Sequence, residues 1–214
     1  PSLHNSTTRI TSLSESKKIF NLETVTELIL SDCNLQSLEG LELARFTNLS
    51  LLNVSFNFIP AIAPVSLLTS LTILDFSHNK VTDLDPIAPL PHLEVIRCHN
   101  NHITSLSPLS SLLSLQTLSE LWLSNNQIHL PDLLHLSTLH SSLHSSLHSS
   151  LKHLVLTPNP CTSPHHESSP QTTSKITLNF LPSLLTLDGR LIPPEEIAAA
   201  QQYCQSSEGH GLLV

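Results

Sequence analysis

The sequence predicts an α/β repeat solenoid. We expect a horseshoe of about six coils, with parallel β-strands on the concave face, helical or 3₁₀ turns on the convex face, and a cap at each end. Three observations predict it. The motif Leu-x-x-Leu-x-Leu-x-x-Asn-x-Ile recurs along the chain, as Leu71, Leu74, Phe76, Asn79, Val81 and again as Leu93, Ile96, Cys98, Asn101, Ile103. Those two copies lie 22 residues apart, a period typical of coil-stacking repeats. Composition agrees: 39% of the 214 residues are hydrophobic, only 4% are aromatic and four are Gly, so the core has to be aliphatic.

The chain divides in order. Residues 1–24 carry apolar Ile10, Leu13, Ile19, Phe20 and Leu22 without the motif, and read as a degenerate first coil or N-terminal cap. A terminal coil left bare exposes core and invites aggregation, so a cap is expected there. Residues 25–160 hold the repeats. Their first positions are Val25, Leu49, Leu71, Leu93, Leu118 and Leu151, at intervals of 24, 22, 22, 25 and 33 residues. The Asn slot is filled by Cys33, Asn57, Asn79, Asn101, Asn126 and Asn159, and the apolar slot after it by Leu35, Ile59, Val81, Ile103, Ile128 and Cys161.

Each copy has a physical logic. The x-Leu-x-Leu-x segment alternates as a short strand, leucines inward and the residues between them outward. The Asn follows where the chain bends away, so its amide can satisfy backbone groups that the bend leaves unpaired, and stacked copies form a ladder. Leu84, Ile87 and Leu90 represent the convex half of a coil. One coil cannot close a core alone, and stability comes from its neighbours.

The long fifth interval contains a Leu-His-Ser-Ser tetrapeptide repeat in an insertion at about 137–150. Leucines four apart share one helix face, so a short convex helix is expected. His140, His144 and His148 have the same spacing, and Cys161, His165 and His166 form a second His/Cys group. Both read more simply as compositional bias, and no metal site is expected. Catalysis is not expected either. Asp75, Ser77, His78 and His99 fall near one another by register, but Ser recurs at its slot in most coils. There is also no nucleophile elbow, Gly-rich loop or His-Glu-x-x-His. No cofactor and no small-molecule substrate are implied.

From residue 161 to 200 the pattern changes to a C-terminal cap, followed by a tail at 201–214. Leu181-Pro182-x-Leu184-x-x-Leu187-Asp188-Gly189 resembles the motif that closes short intracellular leucine-rich-repeat proteins. With it, the 22-residue units resemble the repeat class of the protein phosphatase one regulator. That class also takes in a spliceosomal ribonucleoprotein subunit, acidic nuclear phosphoproteins, tubulin-folding cofactors and an axonemal dynein light chain. The resemblance implies a leucine-rich-repeat solenoid that binds protein. It covers roughly 25 to 200 and departs from the family where Ser174-Lys175 replaces a Tyr-Arg pair.

The register also names a binding surface. Leu51, Ile73 and Val95 form an outward apolar row, flanked by Asn53, Asp75, Arg97, His99, Glu120 and Trp122, with Phe56 and Phe58 at the edge. Apolar residues beside Trp and Arg on an outward face point to a protein partner. Asp75 and Arg97, on adjacent strands, lie close enough by register to pair, which would make them structural. Nine Lys plus Arg, scattered in a chain of net charge −8, make no phosphate-binding stripe, so no direct nucleic-acid binding is expected. No apolar run reaches the ~20 residues of a membrane span, and 1–10 is too polar for a secretory signal. Cysteines at apolar slots suit reduced thiols in a core, hence a cytoplasmic or nuclear protein. The expected function is non-catalytic protein binding within a larger complex. The alternatives are a ribonucleoprotein subunit that meets RNA through a partner, or a phosphatase regulator.

Overall fold

The computed structural model describes residues 8–10, 21–112, 116–139, 150–163 and 169–206. Among the described residues, nine strands form one sheet in chain order. They are β1 (Thr8–Ile10), β2 (Val25–Ile29), β3 (Leu51–Asn53), β4 (Ile73–Asp75), β5 (Val95–Arg97), β6 (Glu120–Trp122), β7 (His153–Val155), β8 (Thr186–Leu187) and β9 (Arg190–Leu191). Every neighbouring pair from β1 to β8 is parallel, and only β8 with β9 is antiparallel. One strand per coil, always displaced the same way, makes a solenoid.

Register follows the motif. Leu52, Leu74, Ile96, Leu121 and Leu154 face inward as partners across five coils and are fully buried. Two residues later the inward column continues as Leu30, Val54, Phe76, Cys98, Leu123 and Leu156. The convex half of each coil closes with 3₁₀ turns such as Ala63–Leu67, Asp85–Ile87 and Ser107–Ser111. Each has Pro in its first turn, where the missing N–H costs nothing, and is too short for a stable α-helix.

The expected ladder is present. Asn101 accepts from the Val81 N–H at 2.9 Å through Oδ1, while its amide donates to the Phe76 and Cys98 carbonyls at 3.1 and 3.0 Å. Asn57, Asn79, Asn126 and Asn159 repeat the arrangement. Cys33, in the same slot, is half-buried and offers no amide; its N–H instead donates to Asn57 Oδ1.

A 3₁₀ helix at Leu130–Leu139 leads into the insertion. The His/Ser/Leu repeat expected as a convex helix lies otherwise outside the described residues, as do His140, His144 and His148. At the C-terminal end, helices α1 (Pro170–Phe180) and α2 (Pro194–Gln205) pack against each other. Between them Asp188 and Gly189, both with positive φ, turn β8 into β9 as a two-residue hairpin of the Asp-Gly kind. Asp188 stands in for the ladder, taking the Leu156 and Thr157 N–H groups at 2.7 and 2.8 Å. This hairpin pairs the outer side of β8 and leaves the two-residue β9 as the sheet edge.

Candidate functional site

Strand alternation sends the expected residues outward together. Leu51, Ile73 and Val95 are direct partners across β3, β4 and β5, each half-buried, and the row continues into Glu120 on β6. Beside it run Asn53, Asp75, Arg97 and Trp122, also in register. The floor of the concave face is thus aliphatic at its centre and mixed along one side.

A row of rings crosses the same face obliquely, one ring per coil. Phe56 stacks on His78 with centroids 4.0 Å apart and planes 13° from parallel. The His78 ring meets His99 edge-on at 5.2 Å, and His99 meets Trp122 at 5.5 Å. Register places His78 near His99, but its membership of the ring row is not legible, because it lies past the strand, at the bend before the ladder Asn. Its ring is oriented from the next two coils: the Asn125 amide donates to Asn100 Oδ1, and the Asn100 amide donates to His78 Nε2 at 3.1 Å.

The bend position explains more. Asp32, Phe56, His78, Asn100 and Asn125 precede successive ladder positions, and all have φ of 54° or 55°. Asp and Asn tolerate this left-handed conformation, whereas a bulky side chain is strained there by about 1–2 kcal/mol. Phe56, 55% exposed, therefore holds a strained position while keeping its ring in water. We expect Phe56→Asn to leave stability within about 1 kcal/mol of the wild type, because relief of strain offsets the lost ring stacking. Thermal melting checks this, and a loss above ~2 kcal/mol would assign the ring to the fold instead.

The structure decides the pairing that register left open for Arg97. Arg97 does not pair with Asp75. Its Nη2 lies 3.0 Å from Glu120 Oε1, with the guanidinium 5.4 Å from the centre of the Trp122 ring. Both β4 and β6 are one strand away, and the aromatic face beside Glu120 decides the direction. Asp75 instead accepts from the Ser77 N–H and hydroxyl at 3.0 and 2.7 Å through Oδ1. Asn53 does the same for Ser55 at 2.9 and 2.7 Å. His99 has an Nδ1 that is buried without a hydrogen-bond partner, and burial holds its pKa below the usual histidine value. Asp75 opposes that drop, while His78 and Arg97 add to it.

The imagined catalytic set has no nucleophile–base bond. Ser77 is buried with its hydroxyl donated to Asp75, and no histidine nitrogen bonds to it. Phe58 lies beyond the bend, apart from the ring row, where Lys80 Nζ sits 5.3 Å from its ring centre. It lines a groove of about 540 Å³ with Asn34, Gln36, Pro60 and Lys80. Among the described residues no three His, Cys, Asp or Glu side chains gather as a metal site would require. His165 and His166 lie outside those residues. All four cysteines are free thiols, with Cys98, Cys161 and Cys204 buried. Burial, with Asp75 nearby, pushes the Cys98 thiol far above its ordinary pKa, so it stays protonated and inert.

Comparison with known proteins agrees with this architecture. The family model described as Leucine Rich repeats (2 copies) matches residues 69–111. Among solved structures, an internalin C2 from Listeria monocytogenes is 31% identical, over 70% of this chain and 67% of its own, with a TM-score of 0.47. A chain of the Drosophila melanogaster SNF/U2A' complex is 26% identical over 72% of this chain and 81% of its own, at a TM-score of 0.54. The Listeria monocytogenes internalin inlF is 24% identical at a TM-score of 0.59, and shares the fold. It is matched over 91% of this chain but only 56% of its own length. No curated protein matches the sequence.

Proposed function

This chain is a leucine-rich-repeat protein, and from that premise we propose that it works as a non-catalytic protein-interaction module. It holds a protein partner on the concave face, as a subunit or adaptor of a larger intracellular assembly. One observation carries this reading. In a chain with six Phe, one Trp and one Tyr, the lone Trp122 and the exposed Phe56 are spent on one row that crosses an aliphatic floor. Aromatic anchors beside Arg on a concave surface are the residue types that dominate binding energy. The open face has no enclosed site to exclude water or to aim donors at a developing charge, which supports a non-catalytic role.

Two further facts support the setting. Four free thiols, three of them buried, suit a reducing cytoplasm or nucleus. No helix among the described residues is long and apolar enough to cross a membrane. The likeness to a chain solved as part of the SNF/U2A' complex favours membership of a multi-protein complex. A second reading is a subunit that approaches RNA through a partner protein.

The test is a crosslinking pull-down from native extract. The wild type is compared with a Val95→Glu, Trp122→Ala double variant that still folds by circular dichroism. The double variant is expected to lose one partner, with capture of that protein weakened about thirtyfold, as for two interface anchors. Co-purified RNA would support the second reading. An unchanged set of captured proteins would move the interface off the concave face.

A further inference from the structure

Asp75 carries a charge that the fold does not use. Its Oδ1 takes both Ser77 bonds, whereas Oδ2 bonds to no described residue. One coil earlier the same bonds to the same serine position are made by a neutral amide, Asn53 to Ser55. The adjacent cation in register, Arg97, turns away to Glu120 and Trp122. A carboxylate therefore stands half-buried on the concave face, two residues along the strand from the Ile73–Val95 pair, with neither a counter-ion nor a structural duty for its second oxygen. A cation brought to that free oxygen would gain a charge-assisted hydrogen bond.

Resting on the concave-face reading above, we infer that the surface takes a protein segment in which a Lys or Arg stands between apolar side chains, and that Asp75 is the residue that selects it. The apolar residues of the segment cover Leu51, Ile73 and Val95. Its cation reaches Oδ2 and lies against the ring row, where aromatic faces favour a positive charge. A polyanion such as RNA is a poor fit to this spot, because Asp75 and Glu120 would repel it.

The test is selection of a displayed random-peptide library on four immobilised proteins: wild type, Asp75→Asn, Glu39→Gln, and the Val95→Glu, Trp122→Ala double variant. Asp75→Asn keeps the Oδ1 acceptor that Asn53 shows to be sufficient, so it is expected to fold normally by circular dichroism. Exposed Glu39 controls for the general attraction of basic peptides to an acidic chain. Wild-type and Glu39→Gln pools are expected to be rich in Lys and Arg set among apolar residues, and the Asp75→Asn pool is not. A synthetic peptide from the wild-type pool, followed by fluorescence anisotropy, is expected to bind Asp75→Asn about tenfold more weakly. With its cation replaced by norleucine, the peptide is expected to bind the wild type and Asp75→Asn equally.

A wild-type pool without basic enrichment, an equally basic Asp75→Asn pool, or no enriched peptide at all would overturn the inference. Peptides lost from the double variant but indifferent to Asp75→Asn would overturn only the charge selection. Peptides still held by the double variant would remove binding from the concave face and overturn the functional reading itself.

Discussion

Phe76→Ala is expected to destabilise the protein by about 3–5 kcal/mol, the usual cost of emptying a phenylalanine site in a packed core. Phe76 is fully buried in the inward column that runs Leu30, Val54, Phe76, Cys98, Leu123, Leu156. It is the largest side chain of that column and stands between two of the smallest, Val54 and Cys98. Small neighbours cannot reach across the void, so the coil has no cheap way to collapse. The coil is also central to the array, with β2 and β3 on one side and β5 to β7 on the other. Coils communicate only through neighbours, so weakening this one lets the two halves unfold separately. Urea titration followed by circular dichroism is expected to show a lower, broader transition. Phe76→Leu, which keeps most of the volume, is expected to cost far less. A Phe76→Ala loss below ~1 kcal/mol would show that the core there is loosely packed.

Asn101→Ala is expected to cost about 1–3 kcal/mol, near the upper end, because several buried backbone groups are orphaned together. The Val81 N–H loses its acceptor, and the Phe76 and Cys98 carbonyls lose a donor. Asn101 is itself buried, so water cannot replace the amide without opening the bend. The loss should appear as a lowered melting temperature with the sheet signal retained below it. A melting curve unchanged by the substitution would refute the ladder as a source of stability.

Much of this was legible in the sequence because a repeat states its register many times. Six leucine slots and six Asn slots fix which residues face inward, and every strand from β2 to β7 falls where they say. Leu51, Ile73 and Val95 are neighbours for the same reason. Legibility stops where spacing stops deciding. Arg97 has acids one strand away on both sides, and although Trp122 is its register partner, spacing alone does not say which acid the guanidinium turns to. His78 sits at a bend, which strand alternation does not describe, yet it joins the row of rings. Phe58 is two residues from Phe56, and the bend between them parts their surroundings. The β1 strand at Thr8–Ile10 carries no motif and pairs with β2 all the same.

The ladder also gives the molecule a direction. Each Asn spends its oxygen on the coil before it: Asn79 on Ile59, Asn101 on Val81, Asn126 on Ile103, Asn159 on Ile128. A coil is therefore completed by its successor, and the series ends only where Asp188 supplies a carboxylate that asks for nothing further downstream. A chain leaving the ribosome N-terminus first would always carry one unfinished coil at the exit, waiting for the next asparagine. Shortening the protein from its C-terminal end would recreate that state permanently, whereas shortening it from the other end would not.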